Sequence, residues 1–350
     1  MNDKILIIAM SDLTFLNKAP ARRMKAIIET FKEMGVSNST ISGNRKQRSK
    51  RARKFLFSNK LKDITGVYIE SSNSGMMFNE FLLILKMKFY KIPISVYIRD
   101  GYPLFKEYWS LRYYRQIIAN IFWLVSYFCY LFLVDIMYFP SEMLMGKFRF
   151  SNKKLLTPGI SDFKYNLGKQ KKNSIFYAGG IGQQYDIDTF LKACKKLTKE
   201  IDLCVTIFCR EDEVYRINKW QNKSWLSIQH KNLEELNFQP MIGVIPLREN
   251  KYSDLTFPVK LLDYVSINSV IVASESENLK NYIEEKNIGL ITKFGDVEDY
   301  YRKMRELLEN EELFNLLKKN IIQLGNSNKI TWENKCQKVL KDLKFDNTFK

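Results

Sequence analysis

The sequence predicts an α/β protein built from two doubly wound domains, each a parallel sheet with helices on both faces. Three observations predict it. Short apolar runs alternate with helix-period stripes along the whole chain, which is the pattern of repeated βαβ units. A polar stretch rich in glycine and lysine, YNLGKQKKN at residues 165–173, interrupts that alternation near the middle and reads as a linker. With 350 residues, 45% of them hydrophobic, the chain exceeds one typical domain and can fill two cores.

In chain order, KILIIAM at residues 4–10 reads as a first buried strand. Its apolar core is too short for a signal peptide, so a cytosolic protein is expected. SDLTFLNKAPARR is a polar loop, and in the RMKAIIETFKEMG that follows, Met24, Ile27, Ile28, Phe31 and Met34 make a helical stripe ended by Gly35. The loop lacks GxGxxG, which argues against an ordinary dinucleotide-binding domain. Arg22 and Arg23 at the helix start read first as solvated basic residues, and they could also meet a phosphate or carboxylate.

Residues 44–62, NRKQRSKRARKFLFSNKLK, are the strongest basic patch, with Phe55, Leu56 and Phe57 inside it. No zinc-finger, RNP or helix-turn-helix signature surrounds it, so an anionic lipid surface is expected rather than nucleic acid, with a solvated helix face as the alternative. GVYIE (strand), NEFLLILKMKFYKI (helix) and PISVYIRDG (strand) continue the alternation. Arg99 and Asp100 end the last of these, at the sheet edge where ligands bind; a loop ion pair is the other reading. IIANIFWLVSYFCYLFLV, residues 117–134, is the most apolar run, and at eighteen residues it is borderline for a membrane span. Because Asp135 and the strand-like IMYFPSEM follow at once, the expectation is a surface or half-buried helix that touches a membrane, with a genuine span as the alternative.

The second half opens with SIFYAGGIGQQYDIDTFLKAC: a strand, a turn at Gly179, Gly180 and Gly182, and a helix whose stripe is Ile187, Phe190, Leu191 and Ala193. Glycines there let the backbone approach a pyrophosphate, and the next helix N-terminus favours negative charge. Asp186 and Asp188 form D-x-D, but their place at a helix entrance fits capping better than a manganese site. LCVTIFC is a strand followed by Arg210. His230, the single histidine, is expected just before a helix and is assigned no role. In residues 242–274, IGVIP is a strand, RENKYSDLTF a loop, VKLLDYV a helix after Pro258, and VIVAS a strand. That unit sets the loop and the helix N-terminus at the carboxyl edge of a parallel sheet, with Lys260 and Asp263 on the first turn. A plain βαβ unit with a solvated lysine and aspartate would read the same way. GLITKFG and the two helical runs after it, then ITWENKCQKVLKDL, complete the chain.

The net charge of +18 implies an anionic partner, without saying which. Five cysteines without CxxC spacing and one histidine point to a reduced compartment and away from zinc.

The segment from Pro258 through Lys260, Leu261, Leu262, Asp263 and Tyr264 to VIVAS resembles the donor-binding segment of sugar-nucleotide glycosyltransferases of the group 1 retaining type. Their fold, GT-B, is two Rossmann-like domains facing a cleft. Asp135 with IMYFPSEM, and TPGISDF at residues 157–163, also resemble segments of this family. The resemblance implies a first domain of residues 1–168 that takes the acceptor, a donor domain of residues 169–335, and a terminal helix and tail of residues 336–350 near the domain junction. It implies that Gly179, Gly180, Gly182, Thr256, Phe257, Pro258, Lys260 and Asp263 bind the donor, with Asp263 on the ribose. Members of the family often carry a second acid where Leu255 stands here, next to Asp254, and Arg and Lys in the loop where this chain has Gln183, Gln184 and Tyr185. Charge on the diphosphate must then be met by Lys260 and Arg210, which with Asp100 are the candidate catalytic residues; Arg22, Arg99 and Asp100 are the candidates on the acceptor side. The implied activity is sugar transfer from a nucleoside-diphosphate sugar to a glycan or lipid-linked glycan hydroxyl in cell-surface polysaccharide synthesis, on the cytoplasmic face of an anionic membrane, with neither metal nor further cofactor. Two alternatives stay open: an epimerase of the same fold, and an inactive scaffold that binds membrane or nucleic acid.

Overall fold

The computed structural model describes residues 4–14, 19–72, 75–101, 113–160, 168–230, 233–236 and 238–345. These fall into two compact units, residues 1–159 with 328–350, and residues 160–327. The divisions come earlier than the 168/169 and 335/336 boundaries read from the sequence. Residues 161–167, with Ser161, Asp162 and the start of the expected linker, lie outside the described residues.

The first unit holds β1 (Lys4–Ala9), α1 (Ala19–Glu33), β2 (Ser37–Ile41), α2 (Arg45–Leu56), β3 (Gly66–Glu70), α3 (Phe78–Phe89), β4 (Ile94–Tyr97), α4 (Tyr113–Leu133), β5 (Ile136–Phe139), α5 (Glu142–Gly146) and β6 (Lys153–Leu155). Its sheet is parallel throughout, in the order β2-β1-β3-β4-β5-β6. Strands β1, β3, β4 and β5 are continuous apolar runs because helices cover both their faces. The edge strands β2 (SNSTI) and β6 (KKL) are polar and half-exposed, and for that reason the apolar pattern had not announced them. Helix α11 (Trp332–Asp342) belongs to this unit. Its Trp332, Cys336, Val339 and Leu340 share a core with Ile5, Met24, Phe31 and Tyr138, and Asp342 accepts a 2.7 Å hydrogen bond from the Tyr138 hydroxyl.

The second unit holds β7 (Ser174–Ala178), α6 (Ile187–Leu197), β8 (Cys204–Phe208), β9 (Leu226–Gln229), β10 (Ile242–Ile245), α7 (Val259–Ser266), β11 (Val270–Ser274), α8 (Glu277–Lys286), β12 (Gly289–Thr292), α9 (Val297–Glu309) and α10 (Glu311–Gly325). The order is β12-β11-β10-β7-β8-β9, again parallel, which is the doubly wound arrangement of a dinucleotide-binding fold without its glycine fingerprint. His230 follows β9, an edge strand that alternation did not signal, rather than preceding a regular helix. Its Nδ1 lies 3.0 Å from the Cys209 carbonyl oxygen.

Strand order fixes where ligands bind. From β7 the chain winds one way across the sheet, to β8 and β9, and from β10 it winds the other way, to β11 and β12. The crevice at the carboxyl ends of β7 and β10 is therefore the switch point of the second unit, and the ends of β1 and β3 mark that of the first.

Candidate functional site

At the second switch point Tyr264 of α7 clamps the two central strands. Its hydroxyl accepts from the Ala178 amide at 2.9 Å and donates to the Val244 carbonyl at 3.2 Å. This needs a glycine opposite: a Cβ at Gly243 would stand 2.5 Å from the Tyr264 ring. The clamp holds the start of α7 against the turn after β7. Leu261, Leu262, Tyr264 and Val265 are buried, while Lys260 and Asp263 are half-buried on the remaining face.

Gly179 begins that turn with φ +123°, and a Cβ there would come within 2.7 Å of Lys260 Cε and Nζ. The lysine thus runs over bare backbone. Its ammonium lies 2.8 Å from the Tyr185 hydroxyl, 3.9 Å from the centre of that ring and 5.3 Å from the centre of the Tyr177 ring. Burial pushes the Tyr185 phenol up, but the charge and hydrogen bond of Lys260 outweigh it and hold the phenol below its ordinary value.

Arg210 follows β8 and is half-exposed, and its Nη2 lies 3.0 Å from where a Gly180 Cβ would sit. Glu213 stands between them: its Oε2 accepts from the Ile181 amide at 3.1 Å, and its Oε1 is 3.8 Å from Arg210 Nη2. The Tyr177 hydroxyl donates to the Gly180 carbonyl and so fixes the turn from below. Lys260 therefore borders Gly179 and Arg210 borders Gly180, and the positive charge that Gln183, Gln184 and Tyr185 do not supply is brought in from α7 and from the end of β8.

The other expected donor residues lie along the loop into α7. Thr256 Oγ1 donates to the Ser253 carbonyl at 3.2 Å, Phe257 packs edge-on to Tyr282 at 5.2 Å, and Pro258 precedes the first turn of the helix. Leu255 is a core residue, 2% exposed. Asp254 Oδ1 accepts from the Glu277 amide at 3.0 Å and so caps α8. Neither takes the place of a second donor-binding acid.

Asp186 and Asp188 do not face each other across an open site. Asp186 caps α6, its Oδ1 accepting from the Thr189 amide at 3.5 Å and its Oδ2 from Thr189 Oγ1 at 2.7 Å, with Arg248 3.6 Å away. Asp188 accepts from Trp220 Nε1 at 2.9 Å and pairs with Lys219 at 2.6 Å and Lys192 at 2.9 Å. Burial alone would raise the Asp188 carboxyl, but these donors bring it down to about 2. A pocket of about 410 Å³ opens on this side of the turn, lined by Tyr185, Asp188, Arg216, Trp220 and Arg248, and apart from Lys260, Arg210 and Asp263.

The first switch point carries a cluster that sequence reasoning found only in part. Glu70, the last residue of β3, is fully buried and pairs with Arg23 Nε at 3.2 Å, while the Tyr68 hydroxyl donates to its other oxygen at 2.9 Å. Arg23 also donates to the Tyr97 hydroxyl at 2.9 Å and lies 3.7 Å over that ring. Arg22, the acceptor-side candidate, is instead exposed on α1, one position away from this cluster. Arg99 and Asp100 pair with each other at 2.8 Å. Burial works against the Arg99 charge, yet Asp100 and Glu70 raise its pKa further. Arg23 Nη2 and Arg99 Nη1 are buried without a hydrogen-bond partner among the described residues. The signal for Glu70 was an acid closing an apolar strand, the same signal that singled out Asp100.

Residues 161–324 match the family model described as Glycosyl transferases group 1. No curated protein matches the sequence. Among solved structures, the chain is similar to WaaG, a glycosyltransferase involved in lipopolysaccharide biosynthesis, with 10% identity and a TM-score of 0.67 over 97% of this chain and 100% of that one. It is similar to HepE from Anabaena in complex with UDP-glucose, with 10% identity and a TM-score of 0.64 over 97% and 99%. A UDP-N-acetylglucosamine 2-epimerase is more distant, with 9% identity and a TM-score of 0.53 over 96% and 94%. The chain thus has the GT-B fold, and the match to the group 1 glycosyl transferase model spans residues 161–324, nearly the whole of its second unit.

Proposed function

We propose that this protein transfers a sugar from a nucleoside-diphosphate sugar to an acceptor hydroxyl. The observation that carries the reading is the approach of Lys260 to Gly179 and Tyr185 at the switch point of the group 1 domain, with Arg210 beside Gly180. As the bond from the sugar to the diphosphate breaks, charge accumulates on the departing oxygen and the sugar becomes oxocarbenium-like. Lys260, Arg210 and the open backbone of the turn meet that charge in place of a metal ion, and Asp263 holds the ribose. The acceptor oxygen takes the sugar carbon, its proton is released, and the nucleoside diphosphate leaves. Retention of configuration belongs to this reading, as the resemblance of the Pro258–Tyr264 segment to the retaining type implies. HepE, which binds UDP-glucose, makes a uridine nucleotide the first donor to try.

On the acceptor side, Arg99 and Asp100 supply polar contacts at the first switch point, next to the buried Arg23–Glu70 pair. A lipid-linked glycan acceptor at the cytoplasmic face of a membrane, in cell-surface polysaccharide synthesis, is supported by the exposed apolar helix of that unit.

A thermal-shift panel of UDP, GDP, ADP, CDP and their sugar conjugates tests the donor site, since a ligand that binds the native state raises its apparent stability. A rise with one nucleotide family supports the reading, and an unchanged melting temperature with all of them overturns it. Product analysis then separates transfer from epimerisation: an epimerase changes the sugar nucleotide with no acceptor present. Activity that survives a chelator supports metal-free transfer, and complete loss with rescue by manganese overturns it.

A further inference from the structure

Two stretches far apart in sequence, the basic segment and the apolar helix, meet on one surface of the first unit. Helices α2, α3 and α4 each carry the chain in the same sense across the sheet, from β2 to β3, β3 to β4 and β4 to β5. Right-handed crossovers put them on one face, and α1, which runs in the opposite sense, packs with α11 on the other. The layer is fixed from within. Arg48 turns inward to pair with buried Glu80 at 2.8 Å, and Asn79 donates to Ser49 Oγ at 2.8 Å.

Helix α4 is seated by one side only. Trp123, Ser126, Tyr130 and Leu133 are buried at helical spacing. Ser126 Oγ accepts from the Met76 amide at 2.6 Å, and the Tyr127 hydroxyl binds the backbone of Arg149. The opposite side presents Ile118, Ile121, Leu124, Val125, Phe128 and Phe132 to solvent, the last 77% exposed. No acidic residue occurs anywhere in residues 113–133. Contiguous apolar exposure of this kind marks an interaction site.

Beside it, Lys46, Lys50, Arg53 and Lys54 form an exposed stripe on α2, which contains no acid. The two surfaces touch where the Arg45 guanidinium lies 4.8 Å over the Phe122 ring. Phe57 and Phe89, at the ends of α2 and α3, are also largely exposed. A basic stripe that adjoins an apolar helix lying in the surface is the chemistry of an acidic bilayer: phosphate heads meet the cations and the acyl boundary takes the aromatic and aliphatic side chains. Polar bonds from α4 to its own unit hold the helix in place, which a membrane-spanning helix would have to give up.

We infer that the α2–α3–α4 face is a peripheral docking surface for anionic lipid, with α4 lying in the interface rather than crossing it. The inference stands apart from the donor-site reading and is tested without it. The full chain is floated with vesicles of phosphatidylcholine alone and of phosphatidylcholine with phosphatidylglycerol, at low and high salt. Binding to the acidic vesicles alone, with release by salt, is expected. Each basic residue near an acidic surface multiplies partitioning about fivefold, so Lys46→Glu, Lys50→Glu and Arg53→Glu together lower it at least roughly 100-fold. Val125→Asp with Phe128→Asp abolishes flotation. Both variants are expected to keep the wild-type melting temperature, and if the apolar variant does not fold, the charge variant still decides. Equal flotation with neutral vesicles, or none with either, overturns the inference. So does retention in cell membranes through an alkaline carbonate wash, which indicates a span. A dimer in sedimentation that Val125→Asp and Phe128→Asp dissociate, with no flotation of the wild type, assigns the face to a second copy and also overturns it.

Discussion

The Lys260 ammonium lies 2.8 Å from the Tyr185 hydroxyl, so the only cation of α7 is held by the turn that follows β7. The contact gives this chain a pH dependence of its own. Tyr177 and Glu213 also stand near the phenol; the charge and hydrogen bond of Lys260, with a smaller contribution from a Gln184 hydrogen bond, outweigh burial and the Glu213 charge and lower its pKa. As pH rises through that lowered value the phenol ionises, the pair becomes neutral, and a diphosphate loses its attraction to Lys260. Nucleoside-diphosphate affinity is expected to fall at a pH below the ordinary tyrosine value of 10.0. Tyr185→Phe is expected to remove that fall. Calorimetric titrations across the alkaline range check this, and the same fall in both proteins would detach Tyr185 from the site.

Gly179→Ala tests whether the bare backbone matters. Its positive φ disfavours any side chain, at a cost of about 1–2 kcal/mol in stability, and the added methyl would lie 2.7 Å from Lys260 Nζ. Denaturant unfolding measures the first effect. Nucleotide affinity measures the second, and it is expected to drop by more than tenfold as the lysine is displaced, a loss of about 1.4 kcal/mol.

Asp263→Ala is expected to weaken nucleotide binding by about 1.5–3 kcal/mol, the worth of hydrogen bonds to a charged group. The fold should survive, because the side chain is half-buried on the face of α7 that does not enter the core. Wild-type affinity in calorimetry would return Asp263 to an ordinary helix surface.

Glu70→Ala should act on stability first. It leaves the buried Arg23 without its counter-charge, and breaking a buried pair in this way costs about 3–5 kcal/mol, although Tyr97 still accepts from Arg23. A melting temperature within a degree or two of the wild type would contradict the burial of the pair.

The sequence by itself determined the α/β class, the central strands and the two-unit plan, because buried parallel strands and amphipathic helices write their surroundings into local periodicity. It also located the segment around Pro258, Lys260 and Asp263, since a strand, loop and helix in that order fix a place at the sheet edge. The edge strands β2, β6 and β9 went unseen, because a polar run at a sheet edge looks like a loop. Only the tertiary structure decided the partners. Lys260 and Tyr185 stand 75 residues apart in sequence, and they meet because β7 and β10 are neighbours at the point where the winding reverses. Arg23, not Arg22, faces Glu70, because one step along a helix turns a side chain from core to solvent. Arg48 left the basic stripe for Glu80, and Arg45 came to lie on Phe122, because helix packing brings together residues whose separation along the chain carries no record of it.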